Sequence, residues 1–202
     1  LNELKKFDYK INVILQKSDQ ATIDSIKNYN VEILFQNGLG YGNALIEGIN
    51  FCKSKYFCIF NADGSFNPRE LKKMSKILRF KNNDFVFASR YEVNCSSEDD
   101  TIITLIGNYF FTKIGNIFFK LPITDILYTF VIGKTKSAQK LKLKEKKFGF
   151  CVELPIKARF KNMKILTSKS HERKRYSGTK KVNAFKDGFL ILVTMIKLFF
   201  IK

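Results

Sequence analysis

Residues 59–67 read IFNADGSFN. The run that leads into them, YFCIF (56–60), is apolar and uncharged, and it reads as a buried strand. It stops at Asn61. A carboxylate follows at Asp63, and Asn67-Pro68 then opens a helical pattern with Leu71, Met74, Ile77 and Leu78 along one side. Asn followed by Pro is a cap and first-turn pair. Strand, polar turn and helix in that order make the βα unit of an open α/β sheet, whose ligands bind beyond the carboxyl ends of the strands. Two readings of the Asn-x-Asp step stay open at this level. One is a capped surface turn. The other is a cation site, with Asp63 reaching Mg²⁺ or Mn²⁺ and Asn61 adding a neutral carbonyl oxygen.

The same alternation continues on both sides. Strands are predicted at INVIL (11–15), VEILF (31–35), DFVFAS (84–89) and MKILTSKSHER (163–173), with DILYTFVIG (125–133) a strand or extended segment. Helices are predicted over 19–29, with Ser18 as its cap, and over 40–54, 101–119 and 148–162, where Pro155 marks a kink or a start. The expected fold class is α/β, a Rossmann-like and mostly parallel sheet flanked by helices. Residues 1–182 form the expected domain. Residues 183–202 form a C-terminal apolar, amphipathic helix, whose run FLILVTMIKLFFI (189–201) is too short to span a bilayer alone. It packs into the core or lies in a membrane interface.

Composition narrows the partners. The chain has 202 residues, 36 Lys and Arg against 18 Asp and Glu, and a formal net charge of +18. That excess favours anionic partners, although a chain this rich in Lys, Ile, Asn and Phe also fits a low-GC codon bias. Nucleic acid is disfavoured, because the 21 Phe lie mostly in apolar runs such as NYFF and NIFF and read as core. Four scattered cysteines without a C-x-x-C pair, and a single His at 171, exclude a Cys/His zinc site. Cys52, Cys58 and Cys151 read as core residues of a protein from a reducing compartment.

Three further stretches carry chemistry. In NGLGYGNAL (37–45), Gly38, Gly40 and Gly42 precede a helix, which suits close approach of a phosphate. In ASRY (88–91), Arg90 directly follows a strand. In SHERKRYSGTKKVNAFKDG (170–188), Arg173, Lys174, Arg175, Lys180 and Lys181 surround Gly178 just before the apolar helix. Guanidinium forks on a flexible backbone suit a phosphate.

Taken in order, GLGYGNALIEGI, FNADGSFNPREL, ASRY, ITD (123–125), FGFCVELPIKA and HERKRYSGTKKVNAFKDGF resemble the family 2 glycosyltransferases. Within them they resemble the polyprenyl-phosphate sugar transferases of the dolichol-phosphate mannosyltransferase-like group, from about residue 11 to about 200. The resemblance implies a GT-A fold, a nucleotide-sugar donor, a divalent metal (Mg²⁺ or Mn²⁺) and a polyprenyl-phosphate acceptor. It implies an inverting transfer at an anionic membrane surface, with the protein cytoplasmic and peripheral to that face. Asn61 and Asp63 map onto the D-x-D metal step, and Gly38, Gly40 and Gly42 onto the donor side. Asp63, Asp125 and Arg90 map onto catalytic positions, and Arg90, Arg173, Arg175 and Lys180 onto acceptor-phosphate contacts. The resemblance also implies that the chain starts past the family's first strand. Leu15 and Gln16 stand where the family has an acidic pair, and Asn61 stands where it has its first metal carboxylate. The alternative function is a catalytically impaired, basic relative that binds anionic lipid or phosphate.

Overall fold

The computed structural model describes residues 1–80, 82–176 and 183–201. Strand β1 (Asn12–Leu15), helix α1 (Gln20–Ile26) and strand β2 (Glu32–Phe35) form a first βαβ unit, the two strands pairing in parallel with Val13 opposite Ile33. Helix α2 (Tyr41–Phe51) leads to β3 (Tyr56–Ile59), α3 (Glu70–Phe80) to β4 (Phe85–Ser89), and the short β5 (Ser96–Ser97) precedes α4 (Ile102–Phe119). Then follow β6 (Val131–Lys134), α5 (Thr135–Lys140), α6 (Phe150–Phe160), β7 (Ile165–Lys169), β8 (His171–Glu172) and α7 (Ala184–Phe200). The main sheet runs β3-β6-β4-β7, and β5 pairs with β8 in parallel.

Strand β4 shows why the sheet is two-sided. All five of its residues are buried, as a strand with helices on both faces requires. Alternate side chains enter different cores. Phe85 and Phe87 join a cluster with Ile49, Phe111, Phe150 and Met195. Val86 and Ala88 join Phe66, Leu71, Met74 and Phe130. In that second cluster Phe66 stacks on Phe130 at 4.6 Å and meets Tyr128 edge-on at 5.0 Å. The turn after β3 is therefore anchored from below by a buried ring. Gly133 of β6 is small for a related reason: a Cβ there would come within 2.6 Å of the Phe85 ring.

Several expectations change. Three of the five strand pairings, β1–β2, β4–β7 and β5–β8, are parallel as expected, but they fall in three separate sheets, and β6 runs antiparallel to both its neighbours. Of the stretch 125–133, only its end from Val131 is strand; residues 125–130 cross the sheet end as an irregular segment. Pro155 sits inside α6 and neither starts nor ends it. Ser18 is not the cap of α1: Asp19 holds that place, its carboxylate accepting from the Gln16 N–H instead. Cys58, expected in the core, is exposed on the edge strand β3. Helix α7 packs one side into the core and leaves the other exposed. Ile191, Met195 and Leu198 enter the core, while Phe185, Phe189 and Phe200 face outward.

Asp84, at the entry to β4, joins three elements. Its carboxylate accepts from the Lys164 N–H at 2.9 Å and the Ser137 hydroxyl at 2.8 Å, and it pairs with Lys134 at 3.4 Å. Burial raises its pKa, but these hydrogen bonds and the lysine outweigh that and leave it lowered. A lowered carboxylate pKa stabilises the fold above the unfolded-state value near 3.9, and the contribution disappears as pH falls through the folded value. Asp84→Asn is expected to cost about 1–2 kcal/mol at pH 7. Thermal melts from pH 7 down to pH 3 should show the gap between wild type and variant closing below about pH 4.

Candidate functional site

The turn after β3 is built by Asp63 itself. Its Oδ1 accepts from the Ser65 N–H at 3.0 Å and the Ser65 hydroxyl at 2.8 Å, and Gly64 takes a left-handed φ of 87°. Asn61 is fixed from the other side. The Tyr41 hydroxyl donates to Asn61 Oδ1 at 3.1 Å and is also hydrogen-bonded to Thr129 at 2.7 Å. Burial of the Tyr41 ring pushes its pKa well above the ordinary phenol range, so it is a neutral hydroxyl.

The described part of the basic loop folds over this turn. The Tyr176 N–H donates to the Asp63 carbonyl at 2.8 Å, and the Arg173 N–H donates to the Ser65 carbonyl at 3.0 Å. The Arg173 guanidinium donates to the Phe66 carbonyl at 2.7 Å and grips Glu3 with two nitrogens at 2.9 and 2.8 Å. Arg175 lies 3.6 Å from Asp63 Oδ2 and 3.0 Å from Asp99 Oδ2. Its pKa is raised, chiefly by the hydrogen bond to Asp99. Lys180 and Gly178 lie outside the described residues.

Arg90 stands at the end of β4 and is buried. Its Nε and Nη2 donate to the two oxygens of Asp125 at 2.8 and 3.0 Å, and its own N–H donates to Asp125 Oδ2 at 3.0 Å. Nη1 donates to Glu172 at 2.9 Å and lies 3.2 Å from Asp100. Tyr128 stacks its face 4.4 Å from the guanidinium carbon. Burial opposes the charge, but Asp125, Glu172 and Asp100 outweigh it and hold Arg90 protonated well above its usual range. Asp125 is only 1% exposed and also accepts from Asn108 of α4. In this arrangement Arg90 faces carboxylates, and both Asp125 oxygens are occupied. The pair positions elements rather than presenting a free base or a free phosphate ligand. Beside it lies a cavity of about 450 Å³, lined by Arg90, Tyr91, Ser96, Asp100, Thr101 and Leu105.

The glycine turn also differs from expectation. A Cβ on Gly40 would meet the Lys146 carbonyl at 2.3 Å, and one on Gly42 the Glu145 carbonyl at 2.2 Å. The Asn43 N–H at the start of α2 donates to that Lys146 carbonyl at 2.9 Å. Gly40 and Gly42 therefore admit the 145–147 backbone. Gly38 is bound by the Gln16 side-chain amide, which donates to its carbonyl at 2.9 Å. Gln16 thus braces the turn at the position where the resemblance places an acidic pair.

A divalent cation between Asn61 and Asp63 does not fit the oxygens as they stand. Asn61 Oδ1 and Asp63 Oδ1 each accept a hydrogen bond, and Asp63 Oδ2 faces a guanidinium. Among the described residues no group of three His, Cys, Asp or Glu side chains is placed to hold a metal. Residues that sequence reasoning missed include Tyr41, Asp99, Asp100, Asn108 and Glu172. Only Asn108 carried a signal, as an amide inside an apolar helix.

Residues 1–142 match the sequence model of Glycosyl transferase family 2. No curated protein matches the chain. Among solved structures it is similar to glucosyl-3-phosphoglycerate synthase from Mycobacterium tuberculosis in complex with phosphoglyceric acid, with a TM-score of 0.69 at 11% identity over 93% of this chain and 67% of that one. The same enzyme with Mn²⁺, UDP-glucose and phosphoglyceric acid aligns with a TM-score of 0.66 at 11% identity, covering 98% and 82%. Mannosyl-3-phosphoglycerate synthase from Rubrobacter xylanophilus aligns with a TM-score of 0.63 at 13% identity, covering 98% and 66%. At these identities the likeness shows a shared GT-A fold.

Loss of the buried pair leaves a charge without its partner. Asp125→Ala should cost about 3–5 kcal/mol, a fall of roughly 10 °C in melting temperature for a chain of this size. Replacing Arg90 with Met in the same protein should lose less than the sum of the single changes, read by a double-mutant cycle.

Proposed function

The chain belongs to glycosyl transferase family 2, and from that premise we propose that it moves a sugar from a nucleotide-sugar donor to a polyprenyl phosphate at an anionic membrane surface. The observation that carries the acceptor is the outward face of α4 and α7. Ile102, Ile106, Phe110, Ile117 and Phe118 of α4 and Phe185, Phe189 and Phe200 of α7 are all exposed. The two helices pack on each other, Phe118 meeting Phe199 edge-on at 6.0 Å. An apolar face of this breadth on a basic protein suits a lipid surface, with exposed Lys113, Lys186 and Lys197 bordering it. Helix α4 is also long and apolar enough to cross a membrane by length and composition. Its buried Asn108, Phe111 and Phe119 tie it to the domain, which favours lying on the surface.

The chemistry follows from charge. An oxygen of the acceptor phosphate attacks C1 of the sugar, the C1–O bond to the nucleoside diphosphate breaks, and configuration inverts. A phosphomonoester with a second pKa near 6 is already largely ionised at neutral pH, so the attack requires no strong base. This agrees with an Asp125 whose oxygens are both engaged. The protein's contribution is orientation, plus positive charge against the departing diphosphate. The described start of the basic loop, Arg173 to Tyr176, lies over the carboxyl end of β3 where ligands of such sheets bind. The cavity beside Arg90 is bordered by Ile102 and Leu105 of α4, which sets a polar cavity next to apolar side chains. Four free cysteines suit a reducing, cytoplasmic side.

The test is transfer from a panel of UDP- and GDP-sugars to polyprenyl phosphate in anionic vesicles, with 3-phosphoglycerate as the soluble comparison. A lipid-linked product is expected. Product on 3-phosphoglycerate alone would overturn the lipid acceptor and keep the transferase. Replacing both Ile106 and Phe189 with Glu should lower the vesicle-bound fraction at least about tenfold in co-sedimentation, because charges in an apolar contact oppose insertion.

A further inference from the structure

We propose that Arg175 is the resident cation of the Asp63 site, and that its guanidinium rather than a divalent metal meets the diphosphate of the donor. The inference rests on the transferase reading above and specifies the charge that reading requires.

Three observations converge. The oxygens that would ligate a metal are in use: Asn61 Oδ1 by Tyr41, and Asp63 Oδ1 by Ser65. The remaining oxygen, Asp63 Oδ2, has Arg175 Nη2 at 3.6 Å, so the positive charge facing that oxygen is a guanidinium. The position is enforced from three sides. Asp99 accepts from Arg175 Nη2 at 3.0 Å and Nε at 3.3 Å. The flanking Arg173 and Tyr176 N–H groups pin the backbone to the Ser65 and Asp63 carbonyls. Asn61 itself offers an amide oxygen and no charge. A lone carboxylate makes a weak divalent site but suffices to orient a monovalent guanidinium. A guanidinium can exchange one carboxylate for a diphosphate oxygen while keeping the other, since it donates in several directions in one plane. Asp63 is then a positioning residue, and Arg175 is the group that touches the donor. About a quarter of the Arg175 side chain is exposed, so an incoming diphosphate can reach it.

The experiment is titration of wild-type protein with UDP and GDP by calorimetry, in EDTA and then with Mn²⁺. Arg175→Ala and Arg175→Lys are measured beside it, and thermal melts confirm that each variant is folded. The wild type is expected to bind one nucleotide in EDTA, with Mn²⁺ changing the affinity by less than about threefold. Arg175→Ala should lose at least about tenfold in EDTA. It should also gain Mn²⁺ dependence, because Asp63 Oδ2 then no longer faces the Arg175 guanidinium. Arg175→Lys should recover only part of that loss, since it keeps the charge but not the planar fork that holds Asp99 and a diphosphate oxygen together. Wild-type binding that requires Mn²⁺, or unchanged binding by Arg175→Ala, overturns the proposal and leaves the transferase reading standing. Absence of binding by either nucleotide in either condition overturns both.

Discussion

The guanidinium of Arg90 gathers segments that lie far apart in the chain. It takes both oxygens of Asp125 from the stretch before β6, Glu172 from β8 and Asp100 from the approach to α4. A buried charge of this kind is stable only when its partners are all in place. Asp125 then accepts from Asn108, which ties α4 to the same point. Glu172 belongs to the short ladder that leads the chain into the basic loop. The placement of that loop over the Asp63 turn therefore depends on Arg90, although Arg90 does not touch the turn.

A second set of contacts joins the glycine turn to the same end of the sheet. Gln16 and Gln36 hold the turn together by their amides, and Tyr41 extends from it to Asn61 and Thr129. The glycines are required by close backbone approach from residues 145–147. Glycine in such a turn is thus explained by chain packing, and the polar atoms beside it come from Tyr41 and Asn61.

Much of the architecture was legible because it rests on local periodicity. The apolar runs at 56–60 and 84–89 and the helical spacing from Leu71 to Leu78 depend only on neighbours in the chain. The cap at Asn67 was legible for the same reason, and its side chain does accept from the Arg69 N–H at 3.0 Å. Strand β6 was harder to bound, since its pairing with β3 and β4 begins only at Val131 and residues just before it are equally apolar. Cys58 was misjudged because an apolar run does not say which strand ends at the sheet edge. Of the site, Asp63 and the cationic loop could be found by residue type. Their meeting could not.

By itself, then, the sequence determined the alternation of strands and helices, the polar turn after β3 and the family to which the chain is similar. These follow from side-chain pattern and from residue types at fixed spacing. Tertiary structure decided which charges are available. Arg90 and Asp125 read as reactive groups along the chain, yet folding buries them against each other. Arg175 reads as one cation among five, yet folding sets it against Asp63 and Asp99, separated from it by 112 and 76 residues of sequence. An ion pair is a matter of distance in space and of local solvation, and neither is written in the order of residues.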